Sequence, residues 1–205
     1  IHYAGTTTVT GGTLAYGVAS ALPATASIAL AGGTLDTGGF SVSIGNLFIT
    51  GTSSIAGSAP LNITGDVEGD GAVATRSLAV NNSALTTFSG SQIVLVGNGT
   101  TARTLTLTGT GDILITSDIV NGSAAGTLAY TGSGILTVTG NSLHTLTTLN
   151  NAAGTLMYAG GGQLSGTALT VNAGAVWLNP SLDQTVGNLT MGGGAAGSSS
   201  SLFIG

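Results

Sequence analysis

Apolar and polar residues alternate with a period of two along much of this chain. In Thr104-Leu105-Thr106-Leu107-Thr108 the Leu side chains fall on one face and the Thr on the other, and Ile135-Leu136-Thr137-Val138-Thr139 follows much the same rule. That alternation is the mark of a half-buried β-strand. Further strand-like runs occupy residues 93–96, 112–116 and 169–172, most of them bounded by Gly or Asn. Helical periodicity is weak throughout. The Ala-rich stretch 18–30 comes nearest to it, but Pro23 and the β-branched Thr25 and Ile28 oppose a helix. The pattern predicts an all-β chain.

How such strands close follows from the turns between them. Asn-Gly, the strongest two-residue hairpin signal, occurs only at Asn98-Gly99 and Asn121-Gly122, too seldom for a meander or sandwich of hairpins. Self-similarity points to a solenoid instead. Thr13-Leu14-Ala15-Tyr16 returns as Thr127-Leu128-Ala129-Tyr130 and as Thr155-Leu156-Met157-Tyr158, and Ser43-Ile44-Gly45-Asn46-Leu47 returns as Thr185-Val186-Gly187-Asn188-Leu189. Gly-Gly-Thr-Leu occurs at Gly11 and again 21 residues on, at Gly32. Coils of roughly 20–25 residues give about nine turns. At about 4.8 Å per turn the axis is on the order of 40 Å long. Inward Leu, Ile and Val then stack into one core, outward Thr bonds the next coil and water, and Gly and Asn make the corners. Residues 1–205 read as a single solenoid domain, expected to be a segment of a longer chain or a polymer subunit.

These phrases resemble the autotransporter-associated β-strand repeats of exported bacterial proteins. Tyr3-Ala4-Gly5-Thr6-Thr7-Thr8-Val9-Thr10-Gly11-Gly12-Thr13-Leu14 looks like the second half of one such unit, and Thr147-Thr148-Leu149-Asn150-Asn151-Ala152-Ala153-Gly154-Thr155-Leu156 like another with one residue inserted. Ser133-Gly134-Ile135-Leu136-Thr137-Val138-Thr139-Gly140-Asn141 resembles the start of a unit, with Ile135 in place of the usual Thr. The resemblance covers most of the chain and thins over 18–30 and after Met191. It implies a right-handed parallel β-helix, secretion, and duty as a passenger or surface structure.

Composition narrows the functions. Two Arg, no Lys and a net charge of −5 leave nothing to neutralise phosphates, which excludes nucleic-acid partners. The absence of Cys removes disulfides and thiol chemistry. A mean hydropathy of +0.51 argues against disorder driven by charge. No window reads as a transmembrane helix, and four Tyr, four Phe and one Trp are too few for the aromatic girdles of a membrane barrel. Low charge, no Cys and many hydroxyls fit an extracellular, bacterial-surface location.

Candidate chemistry is sparse. Asp66-Val67-Glu68-Gly69-Asp70-Gly71 places acids at alternate positions of an expected turn, like half of a calcium loop. The twelfth position, where a bidentate Glu belongs, is Ser77. The other reading of Asp66, Glu68 and Asp70 is a solvated polar corner; no other cofactor is expected. Arg76 is placed to pair with one of these acids, and His2 and His144 are read as surface or lateral contacts. Tyr3, Tyr16, Tyr130 and Tyr158 recur at related repeat positions and, with Trp177, suggest an aromatic ladder that either packs between coils or binds sugar rings or a neighbouring subunit. Asn62, Asn81, Asn98, Asn121 and Asn188 head Asn-x-Ser/Thr triplets and are glycosylation candidates. No catalytic residue stands out.

Three functions are therefore carried forward. The first is a self-associating structural subunit or segment of an extracellular bacterial fibre, sheath or surface layer. The second is an adhesive autotransporter passenger that binds a glycan or host surface, and the remotest is a polysaccharide-cleaving β-helix enzyme.

Overall fold

The computed structural model describes residues 5–71, 75–178, 183–192 and 199–204. Within them the chain is all-β, and the paired strands run parallel, each bonded to a strand one coil away. Three strands make a turn. One face stacks Thr7–Val9, Ile28–Leu30, Leu47–Ile49, Val67–Gly69, Gln92–Val96, Asp118–Gly122 and Ser142–Leu143. A second stacks Thr13–Ala15, Thr34–Asp36, Thr52–Ala56, Thr75–Val80, Arg103–Thr108 and Gly126–Tyr130, and a third stacks Val42–Ile44, Leu61–Ile63, Thr86–Phe88, Ile113–Ile115 and Ile135–Val138. Farther along, Leu146–Tyr158 and Ala168–Leu178 run through the corner and join the second and third faces into one 15-stranded sheet. The result is a parallel β-solenoid of about eight turns, close to the nine expected.

The period is legible in the pairing. Thr13 lies opposite Thr34, so the repeated Gly-Gly-Thr-Leu spans one turn. Ile28 lies opposite Leu47 and Leu47 opposite Val67, whereas Val67 lies opposite Ile93 and Ile93 opposite Ile119. The middle turns are thus several residues longer. The loop 97–102, at the corner between the first and second faces, holds part of the extra length.

Inward residues form continuous columns. One runs Ile28, Leu47, Val67, Ile93, Ile119; another runs Leu78, Leu107, Tyr130, Leu149, Val171. All ten are buried. Outward hydroxyls bind the preceding coil: Thr50 donates to the Leu30 carbonyl, Thr64 to Ile44, Ser89 to Ile63 and Ser123 to Val96. Polar side chains at corners do the same for backbone N–H groups. Asn46 Oδ1 accepts from Asp66 N, Asp66 Oδ1 from Gln92 N, and Asp118 Oδ1 from Asn141 N. The amide and carboxylate oxygens thus satisfy N–H groups that the ladder leaves free at the bends, while the hydroxyls add a second bond to carbonyls that already accept from a backbone N–H.

Corner glycines answer a spatial demand. A Cβ on Gly90 would lie 1.9 Å from the Gly65 carbonyl oxygen, and one on Gly140 would lie 2.0 Å from that of Ser117. Successive coils approach too closely there for any side chain. The stretch 18–30 forms turns followed by the strand Ile28–Leu30, not a helix.

Candidate functional site

Five of the chain's nine charged residues gather at the widened corner. Asp66, Glu68, Asp70, Arg76 and Arg103 lie on or beside the strands Val67–Gly69, Thr75–Val80 and Arg103–Thr108. The acids lie along an extended segment, Val67–Gly69 being a strand, and not around the turn that the calcium-loop reading assumes. Three residues of strand separate Asp66 from Asp70, which puts their Cα atoms about 13 Å apart at roughly 3.3 Å per residue. Both terminal acids are already bonded to backbone N–H groups. Asp66 accepts from Gln92 N, and Asp70 Oδ1 accepts from Gly71 N and also from Asn98 Nδ2. Among the described residues no group of three or more His, Asp or Glu is placed to hold a metal ion. Burial raises the pKa of Glu68, and the charges of Asp70 and Asp66 add to the shift.

Arg76 does not reach out to a carboxylate as expected. It points into the solenoid, has no exposed surface, and heads an inner column above Leu105 and Leu128. Its Nη1 donates to the carbonyls of Gly69 (2.7 Å) and Asp70 (3.3 Å), and its Nη2 to Leu95 (2.9 Å). The guanidinium fills the place where the coil widens and binds carbonyls from two successive turns. Burial, and then the Arg103 charge, pull its pKa down, while Asp70 opposes them. Arg103 donates to the Gly71 carbonyl and so ties its strand to the end of the acidic segment in the preceding coil.

Among the described residues the tyrosines form no surface ladder. Tyr16, Tyr130 and Tyr158 are buried, so their rings are closed to a sugar. The shared phrase also misleads about position. Thr127-Leu128 pairs along the second face with Leu146-Thr147, whereas Thr155-Leu156 pairs along the third with Ile135-Leu136. Tyr130 and Tyr158 therefore stand in different columns. Tyr3 and His2 lie outside the described residues. Trp177 is the exception, 46 % exposed and stacked on Phe203 with ring centroids 4.1 Å apart and planes 11° from parallel.

His144 is buried, not a surface residue. Its Nε2 lies 2.8 Å from Thr147 Oγ1 within a polar pocket of the core, where Ser142 Oγ and Tyr158 Oη are 3.0 Å apart and Thr167 donates to the carbonyls of Ser142 and His144. Burial brings the His144 pKa down to about 4, against a weaker upward pull from the backbones of Ile119 and Leu146. A lone His in an alternating run gives no sequence signal for this placement.

Of the glycosylation candidates, Asn81, Asn98 and Asn188 are exposed. Asn62 and Asn121 are partly buried with their amide oxygens engaged, by Ser89 Oγ and by Gly126 N and Thr145 respectively.

Leu189 continues the column of Leu169, Met191 that of Val171, Leu202 that of Val176, and Ile204 that of Leu178. These are core positions by register. Yet Leu189, Met191 and Ile204 are 48 %, 41 % and 74 % exposed, because their strands pair on one side only among the described residues. At the opposite end Leu14, Ala15, Tyr16, Ala21 and Leu22 line a shallow apolar depression. No helix among the described residues is long and apolar enough to cross a membrane. Comparison of the chain with family models, curated proteins and solved structures finds no match.

Proposed function

We propose that this chain is a structural, self-associating element of an extracellular bacterial fibre, sheath or surface layer, built by stacking solenoid coils. The observation that carries the reading is the apolar rim of Leu189, Met191, Leu202 and Ile204, inner-column positions that no further described strand covers. Burying side chains of this kind stabilises by about 1.5–3 kcal/mol each. Among the described residues the strands Leu189–Met191 and Ser200–Ile204 also pair on one side only, which leaves an edge for a further parallel strand. With nine charged residues in the whole chain, little repulsion opposes a stacked copy. The resemblance to autotransporter-associated repeats supports an exported setting. Sedimentation velocity and electron microscopy across a concentration series test the proposal. Elongated assemblies that shorten or vanish in Met191→Asp and Ile204→Asp are expected; monodisperse particles of 19.6 kDa at every concentration overturn it.

A second reading, an adhesive passenger that binds a glycan, draws on the exposed Trp177–Phe203 stack and the Met157 beside Trp177 in the same outward column. Glycan-array binding lost in Trp177→Ala supports it, and an array blank for the parent chain removes it.

A further inference from the structure

The chain contains two Asn-Gly steps, and the fold places them in opposite circumstances. Asn-Gly is the dipeptide most open to attack of the following backbone nitrogen on the side-chain amide, because glycine carries no Cβ to hinder the approach. Attack also needs a side chain and backbone free to rotate toward each other.

Asn98 meets those requirements. It is exposed and stands in loop 97–102, outside any strand, at the insertion that widens the coil. Gly99 has φ +122°. The Asn98 carboxamide donates to Asp70 Oδ1 at 3.0 Å in a solvent-exposed bond, which water readily replaces. Asn121 fails them. It is partly buried near the end of the strand Asp118–Gly122, and Gly122 pairs with Val96. Its Oδ1 accepts from Gly126 N, Thr145 N and Thr145 Oγ1 at 2.8, 2.9 and 3.0 Å. Reaching the reactive geometry there requires opening two adjacent coils.

We propose that Asn98 is a site of spontaneous deamidation in the folded protein and that the fold protects Asn121. The Gly99 nitrogen bonds to Asn98 Cγ, and the amide nitrogen leaves as ammonia with the Gly99 proton. The cyclic imide that results is opened by one water molecule to aspartate or isoaspartate. The product replaces an amide donor facing Asp70 with a carboxylate. The corner that holds Glu68 and Asp70 then carries a further negative charge, and the chain becomes one charge more negative than −5. The bond from loop 97–102 to Asp70 is lost, while Ser123 Oγ still holds the loop through the Gly99 carbonyl at 2.8 Å. The modification therefore loosens one corner and leaves the stack intact.

The test is a time course of the full chain in mildly alkaline buffer, read by peptide mapping for the mass gain of about 1 Da and by enzymatic isoaspartate detection. A parallel sample in concentrated urea reports both sites without the fold. In urea the two sites react at similar rates. In the native sample Asn98 reacts at least about tenfold faster than Asn121, as follows if Asn121 must first open at a cost of about 1.4 kcal/mol or more. The Asn98→Gln variant abolishes the dominant native product. Equal native rates at the two sites overturn the proposal, as does an Asn98 that stays intact in the native chain while it reacts in urea.

Discussion

Ser142 Oγ and Tyr158 Oη meet 3.0 Å apart inside the solenoid, whereas the hydroxyl of Tyr130, equally buried, has no hydrogen-bond partner. Burial raises the pKa of both phenols. For Tyr158 the Ser142 and Thr147 hydroxyls pull back, and for Tyr130 the nearby Asp112 adds to the rise, taking it to about 12. Replacing each ring by Phe separates the two cases. Tyr158→Phe strands the Ser142 hydroxyl and is expected to destabilise by about 1–2 kcal/mol. Tyr130→Phe removes a buried donor that bonds nothing and is expected to stabilise by up to about 1 kcal/mol. Urea unfolding followed by circular dichroism compares them; equal losses refute the distinction.

His144 makes the fold acid-sensitive. Its pKa is about 4 in the folded chain against an ordinary 6.5, so the native state resists the proton that the unfolded chain accepts. The contribution of neutral His144 is fully present above pH 6.5 and drains away as pH falls toward 4. A shift of this size is worth about 3 kcal/mol. Glu68, with a raised pKa, acts in the opposite sense: its contribution is present at low pH and lost as pH rises, and its partial exposure keeps it small. A His144→Gln variant is expected to flatten the stability profile between pH 6.5 and 4. A parent profile that is already flat there contradicts the assignment.

The close approach at the corners predicts a contrast between glycines. Gly90→Ala pushes a methyl group into the Gly65 carbonyl, so the two coils must part, at about 1–3 kcal/mol. Gly11→Ala meets no atom within 4 Å and should be neutral or slightly stabilising. Thermal melting of both variants reads the difference directly.

The strands, their parallel stacking and the coil period were legible because they rest on local alternation and on a repeat that returns once per turn, as Gly11 and Gly32 do. Residue-level assignment failed where coil length varies. A phrase such as Thr-Leu-x-Tyr suits either of two faces, since both demand the same inward and outward sequence, and nothing in it shows which face it will occupy. The acids at 66–70 show a related ambiguity: alternate positions converge in a turn but are spaced along one face of a strand, and Val67–Gly69 is a strand. Arg76 was the hardest to read, because its burial depends on carbonyls that a widened coil exposes.

That dependence gives the last prediction. With Arg76 removed, the carbonyl of Leu95 loses its guanidinium donor inside the core and that of Asp70 a partly buried one, while Gly69 keeps its bond from the Gly97 N–H at 3.0 Å. Each buried acceptor left without a partner costs about 1–3 kcal/mol. Arg76→Met keeps the apolar stem and deletes the donors, and it is expected to lower stability by about 1–3 kcal/mol. Arg76→Lys restores one charged centre but not the planar fork that spans two coils, so it recovers only part of the loss. Hydrogen exchange should place the damage in Val67–Gly69 and Gln92–Val96, the strands that carry or adjoin these carbonyls, with Ala168–Leu178 unchanged. Uniform loss of protection along the stack would mean that the guanidinium serves global stability rather than this one junction.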